Sequence, residues 1–288
     1  MAIFQCGAPK SGNFWLYKII QQILLQAGKD NSSFIQKQEI FELAKKWELN
    51  FPEQASIDVL DITDQQCSYR ISSIFRMPIE NLHRYVSQTS QIWSHSPICK
   101  RSAEVFEAIP KKVYIIRDPR DRAVSAARYY CSDYMQKYFP QEITDPDDFL
   151  EKKFGEMMEN WLWHVFDHLR LSSRHNIHIC YYEGFVLDFQ NELDKLLAYL
   201  GIDFPEEKKI KLEKSVQFEK LKKTNPKHLH KGEVGRWRNI LSKEQAAEAE
   251  EIAGALFSYL GYDAIQPLMF KRKFDGEELK ALKQELLF

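Results

Sequence analysis

The sequence predicts an α/β fold, a single domain in which a central, mostly parallel β-sheet is flanked by helices. Short apolar runs alternate with longer segments whose apolar residues recur at helical spacing, and this alternation is typical of parallel sheets. A glycine-containing loop joins the first apolar run to the first helical segment, as in P-loop-like nucleotide-binding topologies. The length of 288 residues suits one large domain with a full core.

Four short strands are predicted from their apolar residues and from the polar turns that bound them. They cover residues 2–6, 91–94, 113–117 and 177–181. Helices are predicted where apolar residues recur every three or four positions. They cover residues 13–27, 78–88, 118–135, 157–174, 187–200 and 243–260. Because a helical segment follows each strand, we expect the strands to lie parallel.

The end of the chain is predicted to be a separate helical element. Leu279, Leu282 and Leu286 share one face of a helix there, and such a face is typical of a helix that packs on its own domain. We therefore expect residues 1–270 to form the domain and residues 271–288 to form an extension packed on it.

Composition and charge argue against several classes of protein. A net charge of −1 does not favour general binding of nucleic acid. The 5 cysteines lack CxxC spacing, so neither a disulfide framework nor a zinc knuckle is indicated. No basic segment followed by a long apolar run opens the chain, and no apolar stretch is long enough to span a membrane. We expect a cytoplasmic protein with reduced cysteines; the oligomeric state is open.

The loop after the first strand reads GAPKSGNFW over residues 7–15. Backbone N–H groups in such a loop, and the positive end of the helix that follows, favour a bound anion. Gly7 and Gly12 have the spacing of a Walker A loop, but Asn13 and Phe14 stand where Lys and Ser/Thr are expected. Lys10 lies inside the loop instead. We expect Lys10 to lie over the outer end of a bound phosphate chain, and no hydroxyl follows to hold Mg²⁺ in the usual place.

Chemically useful side chains also follow the other predicted strands. Ligands of open α/β sheets lie beyond the carboxyl ends of the strands, so these side chains are expected to converge with the loop. His95, in a polar turn, has the chemistry to deprotonate an attacking hydroxyl. Arg117 ends a strand and Ser125 lies two turns into the next helix, where the pair can clamp a phosphate. The late segment HKGEVGRWRN, residues 230–239, suits a lid over a phosphorylated nucleotide; a basic surface loop is the alternative.

Five motifs follow one another in a fixed order within residues 8–239: PKSGNFW, SHSP, VYIIRDPRDRAVS, YYEG and KGEVGRWRN. In this order they resemble the signatures of the cytosolic-type, PAPS-dependent sulfotransferase family. The resemblance implies a single α/β domain that transfers a sulfuryl group from 3′-phosphoadenosine 5′-phosphosulfate (PAPS) to a hydroxyl or amine, leaving PAP. It implies no metal and a small-molecule acceptor, and it does not identify that acceptor.

The resemblance also implies roles for individual residues. Lys10 resembles the lysine that stabilises the leaving bridging oxygen, His95 the catalytic base, and Arg117 and Ser125 the ligands of the 3′-phosphate. The catalytic set is then Lys10, His95 and Ser125. The nucleotide-binding positions are Pro9, Lys10, Ser11, Gly12, Asn13, Phe14, Trp15, Arg117, Ser125, Tyr182, His230, Lys231 and Gly232.

Three positions depart from the family pattern and keep alternatives open. Phe14 replaces a usual threonine, Trp93 a lysine and His230 an arginine, which would suit a catalytically weak PAPS- or PAP-binding protein of the same fold. A P-loop-type nucleotide kinase or other NTPase is a second alternative, against which the missing Lys-Ser/Thr pair argues. His164 and His168 have the spacing of zinc-binding histidines but lack the glutamate of HExxH.

Overall fold

The computed structural model describes residues 2–225, 232–263 and 266–287. Its seven strands form one sheet in the order β4-β3-β2-β5-β1-β6-β7. The strands are β1 (Ile3–Cys6), β2 (Asp58–Ile62), β3 (Cys67–Ile71), β4 (Phe75–Pro78), β5 (Gln91–Ser94), β6 (Lys111–Ile116) and β7 (Ile177–Tyr181). Strands β2, β5, β1, β6 and β7 are parallel, whereas β3 and β4 extend one edge in antiparallel fashion. The predicted α/β class with a mostly parallel sheet is confirmed.

Helices lie on both faces of the sheet. Alternate residues of the central strands therefore pack in two separate cores. Phe4 and Tyr114 pack in the larger core, whereas Ile3 and Val113 pack in the core beneath the first helix. The helices are α1 (Asn13–Gln26), α2 (Ile40–Ala44), α3 (Leu82–Ser87), α4 (Ser102–Ala108), α5 (Pro119–Tyr130), α6 (Asp133–Tyr138), α7 (Pro146–His175), α8 (Tyr182–Leu187), α9 (Phe189–Leu200), α10 (Glu206–Val216), α11 (Phe218–Thr224), α12 (Lys243–Leu260) and α13 (Gly276–Glu285). Within the described residues, no helix has the length and apolar character needed to cross a bilayer.

Capping side chains explain where the helices differ from the prediction. The segment predicted as one helix over residues 118–135 is divided, since Ser132 caps α6 by accepting from the backbone N–H of Met135. Helix α7 begins earlier than predicted because Asp145 accepts from the N–H groups of its first turn. Asp188 likewise separates α8 from α9. These caps are short polar side chains whose effect the apolar spacing does not reveal.

The antiparallel edge, β2 to β4, was not predicted. Strand β2 reads DVLDI, and its two aspartates obscure the apolar pattern of a buried strand. Asp58 is nevertheless buried, because its carboxylate accepts from the backbone N–H groups of Phe34 and Ile35. The helix predicted over residues 78–88 is correspondingly shorter, since Pro78 ends β4.

The C-terminal segment packs on the rest of the chain. Leu279 and Leu282 of α13 belong to the larger core. Arg272 donates two hydrogen bonds of 2.9 and 2.8 Å to the buried carboxylate of Glu192 on α9. The domain boundary expected at residue 270 stays a prediction.

Candidate active site

A cavity of about 380 Å³ opens where β1, β5 and β6 end. Sequence-predicted site residues line it from the loop, the strand ends and three helices: Pro9, Lys10, Gly12, Asn13, Phe14, Trp15, His95, Arg117, Ser125, Tyr182 and Gly232. Ser11 lies fully buried beneath the loop. His230 and Lys231 lie outside the described residues. The parallel topology therefore brings together side chains from distant parts of the chain.

The loop of residues 7–12 is held in a conformation that turns its backbone toward the cavity. Lys10 and Gly12 have φ angles of 70° and 94°, both in the left-handed region. A Cβ at Gly12 would lie 2.4 Å from a ring carbon of Tyr182, so only glycine fits. The Asn13 amide donates to the carbonyl of Ala8 at 3.0 Å and thereby closes the loop.

Three buried polar atoms in this loop region have no hydrogen-bond partner among the described residues: the Oδ1 of Asn13, which is an acceptor, and two donors. The two donors are the hydroxyl of Ser11 and the Nε of Arg117. The other end of the Arg117 guanidinium donates to the Lys10 carbonyl at 3.2 Å, and its plane lies 4.3 Å from the ring centroid of Tyr182. Buried donors without partners are costly in a finished structure, so these atoms indicate a place for an anionic ligand.

Lys10 projects into the cavity beside an aromatic ring. Its Nζ lies 4.3 Å from the ring centroid of Tyr129. Burial, with a smaller contribution from the charge of Arg117, lowers the pKa of Lys10 to about 8. The amine therefore carries its charge at neutral pH but in an environment that favours a nearby negative partner.

His95 is fixed by hydrogen bonds at both ring nitrogens. Nδ1 lies 2.7 Å from the carbonyl of Gly7, which can only accept, so Nδ1 carries the proton. Nε2 then holds the lone pair, and it accepts a hydrogen bond of 3.0 Å from the indole N–H of Trp93. Burial lowers the pKa of His95 to about 3. The imidazole is thus neutral at physiological pH, in the tautomer whose lone pair is available to a proton.

A family model described as Sulfotransferase domain matches residues 2–261. This chain belongs to the sulfotransferase family. The chain is 26% identical over 175 residues to Sulfotransferase 2A6 of Mus musculus, covering 55% of this chain and 60% of the relative. It is 32% identical over 135 residues to Sulfotransferase 1A1 of Bos taurus, covering 46% of this chain and 44% of the relative. The match therefore spans less than two thirds of the length of these curated relatives.

Solved structures share the fold of this sulfotransferase. Mouse sulfotransferase SULT7A1 complexed with PAP superposes with a TM-score of 0.58 at 21% sequence identity, over 99% of this chain and 88% of that chain. At this identity the likeness establishes the fold alone. The family predicted from the five sequence motifs is confirmed by the family match.

Asp121, to which the sequence assigned no role, attaches the late segment of the sulfotransferase to α5. Its carboxylate accepts from the backbone N–H groups of Gly235 and Trp237 at 2.6 and 2.8 Å. Tyr182 adds a hydrogen bond of 3.0 Å to the Gly232 carbonyl. The second aspartate of the RDPRD motif was the available sequence signal, but its partner is more than a hundred residues away along the chain.

His164 supports the strand end that carries His95. Its Nε2 lies 3.2 Å from the His95 carbonyl, and its Nδ1 lies 2.7 Å from the Tyr114 hydroxyl. Both ring nitrogens are therefore engaged within the protein. The ring of His168 stacks on that of His164, with centroids 4.7 Å apart. This packing gives the helical histidine pair a structural role behind the cavity, where the sequence had left zinc binding open.

Proposed function

We propose that this sulfotransferase moves the sulfuryl group of PAPS to a hydroxyl or amine of a small-molecule acceptor, by in-line transfer without a metal. The observation that supports this best is the meeting of Lys10, a neutral His95 and Arg117 in one cavity at the strand ends. Group transfer to a hydroxyl requires a base in its neutral form, a cation and an anion-binding loop close together.

The cavity residues fit the chemistry of the donor. The loop of residues 9–13, with the unpartnered hydroxyl of Ser11 and the N-terminus of α1, is suited to the 5′-phosphate. Arg117, through its unpartnered Nε, is suited to the 3′-phosphate, as are Ser125 and Gly232. His230 and Lys231 are assigned to the same phosphate from the sequence motif alone. Trp15 and Tyr182, whose ring centroids lie 5.6 Å apart, are suited to the adenine.

We assign Phe14 a contact with apolar side chains instead of a contact with a phosphate. Its ring packs 4.9 Å from that of Phe51, in an apolar cluster that also contains Trp93. It has no polar group to offer a phosphate, so contacts at this position of the loop come from backbone N–H groups. We place Phe14 between the donor loop and the acceptor wall.

Bound PAPS supplies the sulfuryl group, and PAP is the leaving group. In the step we propose, the bond between sulfur and the bridging oxygen breaks while the acceptor's oxygen, or the nitrogen of an amine acceptor, bonds to sulfur. The Lys10 ammonium meets the negative charge that develops on the bridging oxygen. The lone pair on Nε2 of His95 takes the acceptor's proton, so the products are a sulfate ester, or a sulfamate, and PAP.

The proposal is tested with labelled PAPS and a panel of phenols, alcohols and amines. Transfer to at least one acceptor class is expected, and Lys10→Met is expected to lower the rate on the order of 10²- to 10⁴-fold. Lys29→Met, at an exposed lysine, serves as the matched control.

A thermal-shift measurement separates the alternatives. PAP at 100 times its Kd is expected to stabilise the protein by about 2.7 kcal/mol. Stabilisation by Mg-ATP and not by PAP would refute the proposal in favour of a nucleotide kinase or NTPase. Tight binding of PAP without transfer to any acceptor would leave a catalytically weak binding protein.

A further inference from the structure

Among the described residues, two arginines line the cavity in addition to Arg117 and Arg236: Arg70 on β3 and Arg128 on α5. Neither is among the residues suited to the donor. The acidic residues that line the cavity in the described part of the chain are Asp121 and Glu233. Both carboxylates have partners in the late segment. Asp121 accepts from backbone N–H groups of that segment, and Glu233 lies 3.8 Å from Arg236. Among the described lining residues, neither carboxylate is therefore paired with Arg70 or Arg128.

Sheet register puts Arg70 on the same face as the side chains beside the base. Arg70 is paired with Val59 on β2, and Val59 is paired with Trp93 on β5. Residues paired in this way point to one face, and two strand spacings amount to roughly 10 Å. Burial, with a smaller contribution from the charge of Arg70, lowers the pKa of His95. Arg70 thus lies across an apolar residue from the Trp93–His95 pair.

The positive charge of Arg70 is incompletely neutralised. Its Nε donates to Asp61 at 2.9 Å and its Nη1 donates to the Ser72 carbonyl at 2.8 Å. Asp61 is shared with Arg76, at 2.7 Å. One carboxylate thus faces two guanidinium groups, which leaves a net positive charge at this end of the cavity.

Arg128 lies on the face of α5 that lines the cavity, one turn after Val124 and Ser125. Its guanidinium forms no ion pair or hydrogen bond with any residue that the structure describes. The side chain is half-buried rather than extended into solvent. An unpaired cation that lines a cavity is a ready partner for an oxyanion.

The wall between the arginines and the base is apolar and aromatic. Phe51, Val59, Trp93 and Tyr129 line it. An apolar wall with a cationic end and a base at the other end fits a molecule that has a hydroxyl, a flat apolar body and a negative group. A neutral phenol or alcohol would leave Arg128 without an ion-pair partner and the charge of Arg70 only partly neutralised by Asp61.

We propose that the acceptor of this sulfotransferase carries a carboxylate or similar oxyanion, bound by Arg70 and Arg128 across the apolar wall from the hydroxyl that is sulfated. This inference rests on the proposed function, because it names the acceptor class of the same site. It adds a requirement that the family's fold does not impose.

The test compares two acceptors that differ in the charge of one group and by one methyl group, 3-(4-hydroxyphenyl)propanoate and its methyl ester, with PAPS as donor. The acid is expected to have the higher kcat/KM by about ten- to a hundredfold, through its KM, because hydrogen bonds to a charged group are among the stronger ones. Arg128→Gln is expected to reduce this preference at least tenfold, and Arg128→Lys to keep part of it. Arg84→Gln, at an exposed arginine of α3, is the matched control and is expected to leave both acceptors unchanged.

Calorimetry on the PAP complex gives a readout without turnover. Binding of the acid that weakens in Arg128→Gln, with no transfer from PAPS, would support the anion subsite while refuting the proposed function. Transfer to the ester as efficient as to the acid, an equal effect of Arg128→Gln on both, or failure of the acid to bind the PAP complex would overturn the inference.

Discussion

Replacement of Trp93 with phenylalanine is expected to increase the rate of the proposed sulfuryl transfer. The indole N–H donates to the Nε2 lone pair of His95 at 3.0 Å, which is the lone pair that must accept the proton of the attacking hydroxyl. An acceptor therefore has to displace this hydrogen bond before it can react. Phenylalanine keeps an aromatic ring beside Tyr17, whose centroid lies 5.7 Å from that of the indole, and removes the donor.

The size of the effect follows from the net value of one hydrogen bond. Such a bond contributes about 0.5–1.5 kcal/mol, so its removal is expected to raise kcat/KM for the acceptor by about two- to twelvefold. A second effect concerns the protonation of His95. In the imidazolium both Nε2 and the indole nitrogen carry a hydrogen, so the two N–H groups repel each other and the protonated form is disfavoured. Burial lowers the pKa of His95 to about 3 in the wild type, and Trp93→Phe is expected to raise it.

The assay is kcat/KM for one acceptor between pH 3 and pH 9, a range that reaches the acid limb of His95, with thermal unfolding measured alongside. Trp161→Phe is the matched control, since Trp161 is fully buried against Phe257 in the larger core and loses a similar volume. In Trp93→Phe the acid limb of the profile is expected to move to higher pH. A kcat/KM no higher than that of Trp161→Phe, with an unmoved acid limb, would refute the reasoning.

Three further predictions concern the loop and the C-terminal segment. Because burial lowers the pKa of Lys10 to about 8, the ammonium is lost as pH rises through that value; kcat is expected to fall above about pH 8, and Lys10→Arg is expected to abolish that alkaline limb. Gly12→Ala is expected to weaken PAP binding at least about tenfold in a titration. Gly28→Ala is the control, because its φ of 62° imposes the same kind of backbone strain while no atom lies within 4 Å of the new Cβ. Arg272→Met leaves Glu192 buried, and urea unfolding is expected to register a loss of about 2 kcal/mol; a loss under about 0.5 kcal/mol would contradict it.

The parallel part of the fold was predictable because its signals are local. Each parallel strand that the sequence revealed is an apolar run, and the loop of residues 7–12 carries its glycines at a recognisable spacing. The strand ends then brought Lys10, His95 and Arg117 to one cavity without further assumptions. Their catalytic roles stay predictions until variants are measured.

What the sequence could not predict depends on contacts between distant residues. Asp58 is charged yet buried, because backbone N–H groups far along the chain satisfy it. The Trp93–His95 hydrogen bond depends on the direction of two side chains at the end of one strand, which spacing does not define. The pairing of Arg70 with Val59 required the register of a strand that the aspartates of β2 had obscured.

The lowered pKa of Lys10 also makes this lysine a site for selective chemical labelling. With a pKa of about 8, about a tenth of the amine is uncharged at neutral pH, whereas an exposed lysine is almost entirely protonated there. Lys10 is therefore expected to react with electrophiles faster than an exposed lysine does. Its side chain lines the cavity. An amine-reactive ester applied sparingly would acylate it early, and a nucleotide bound over the loop would protect it. Mass spectrometry of that single acylation would report occupancy of the donor pocket in a cell extract, before any acceptor is known.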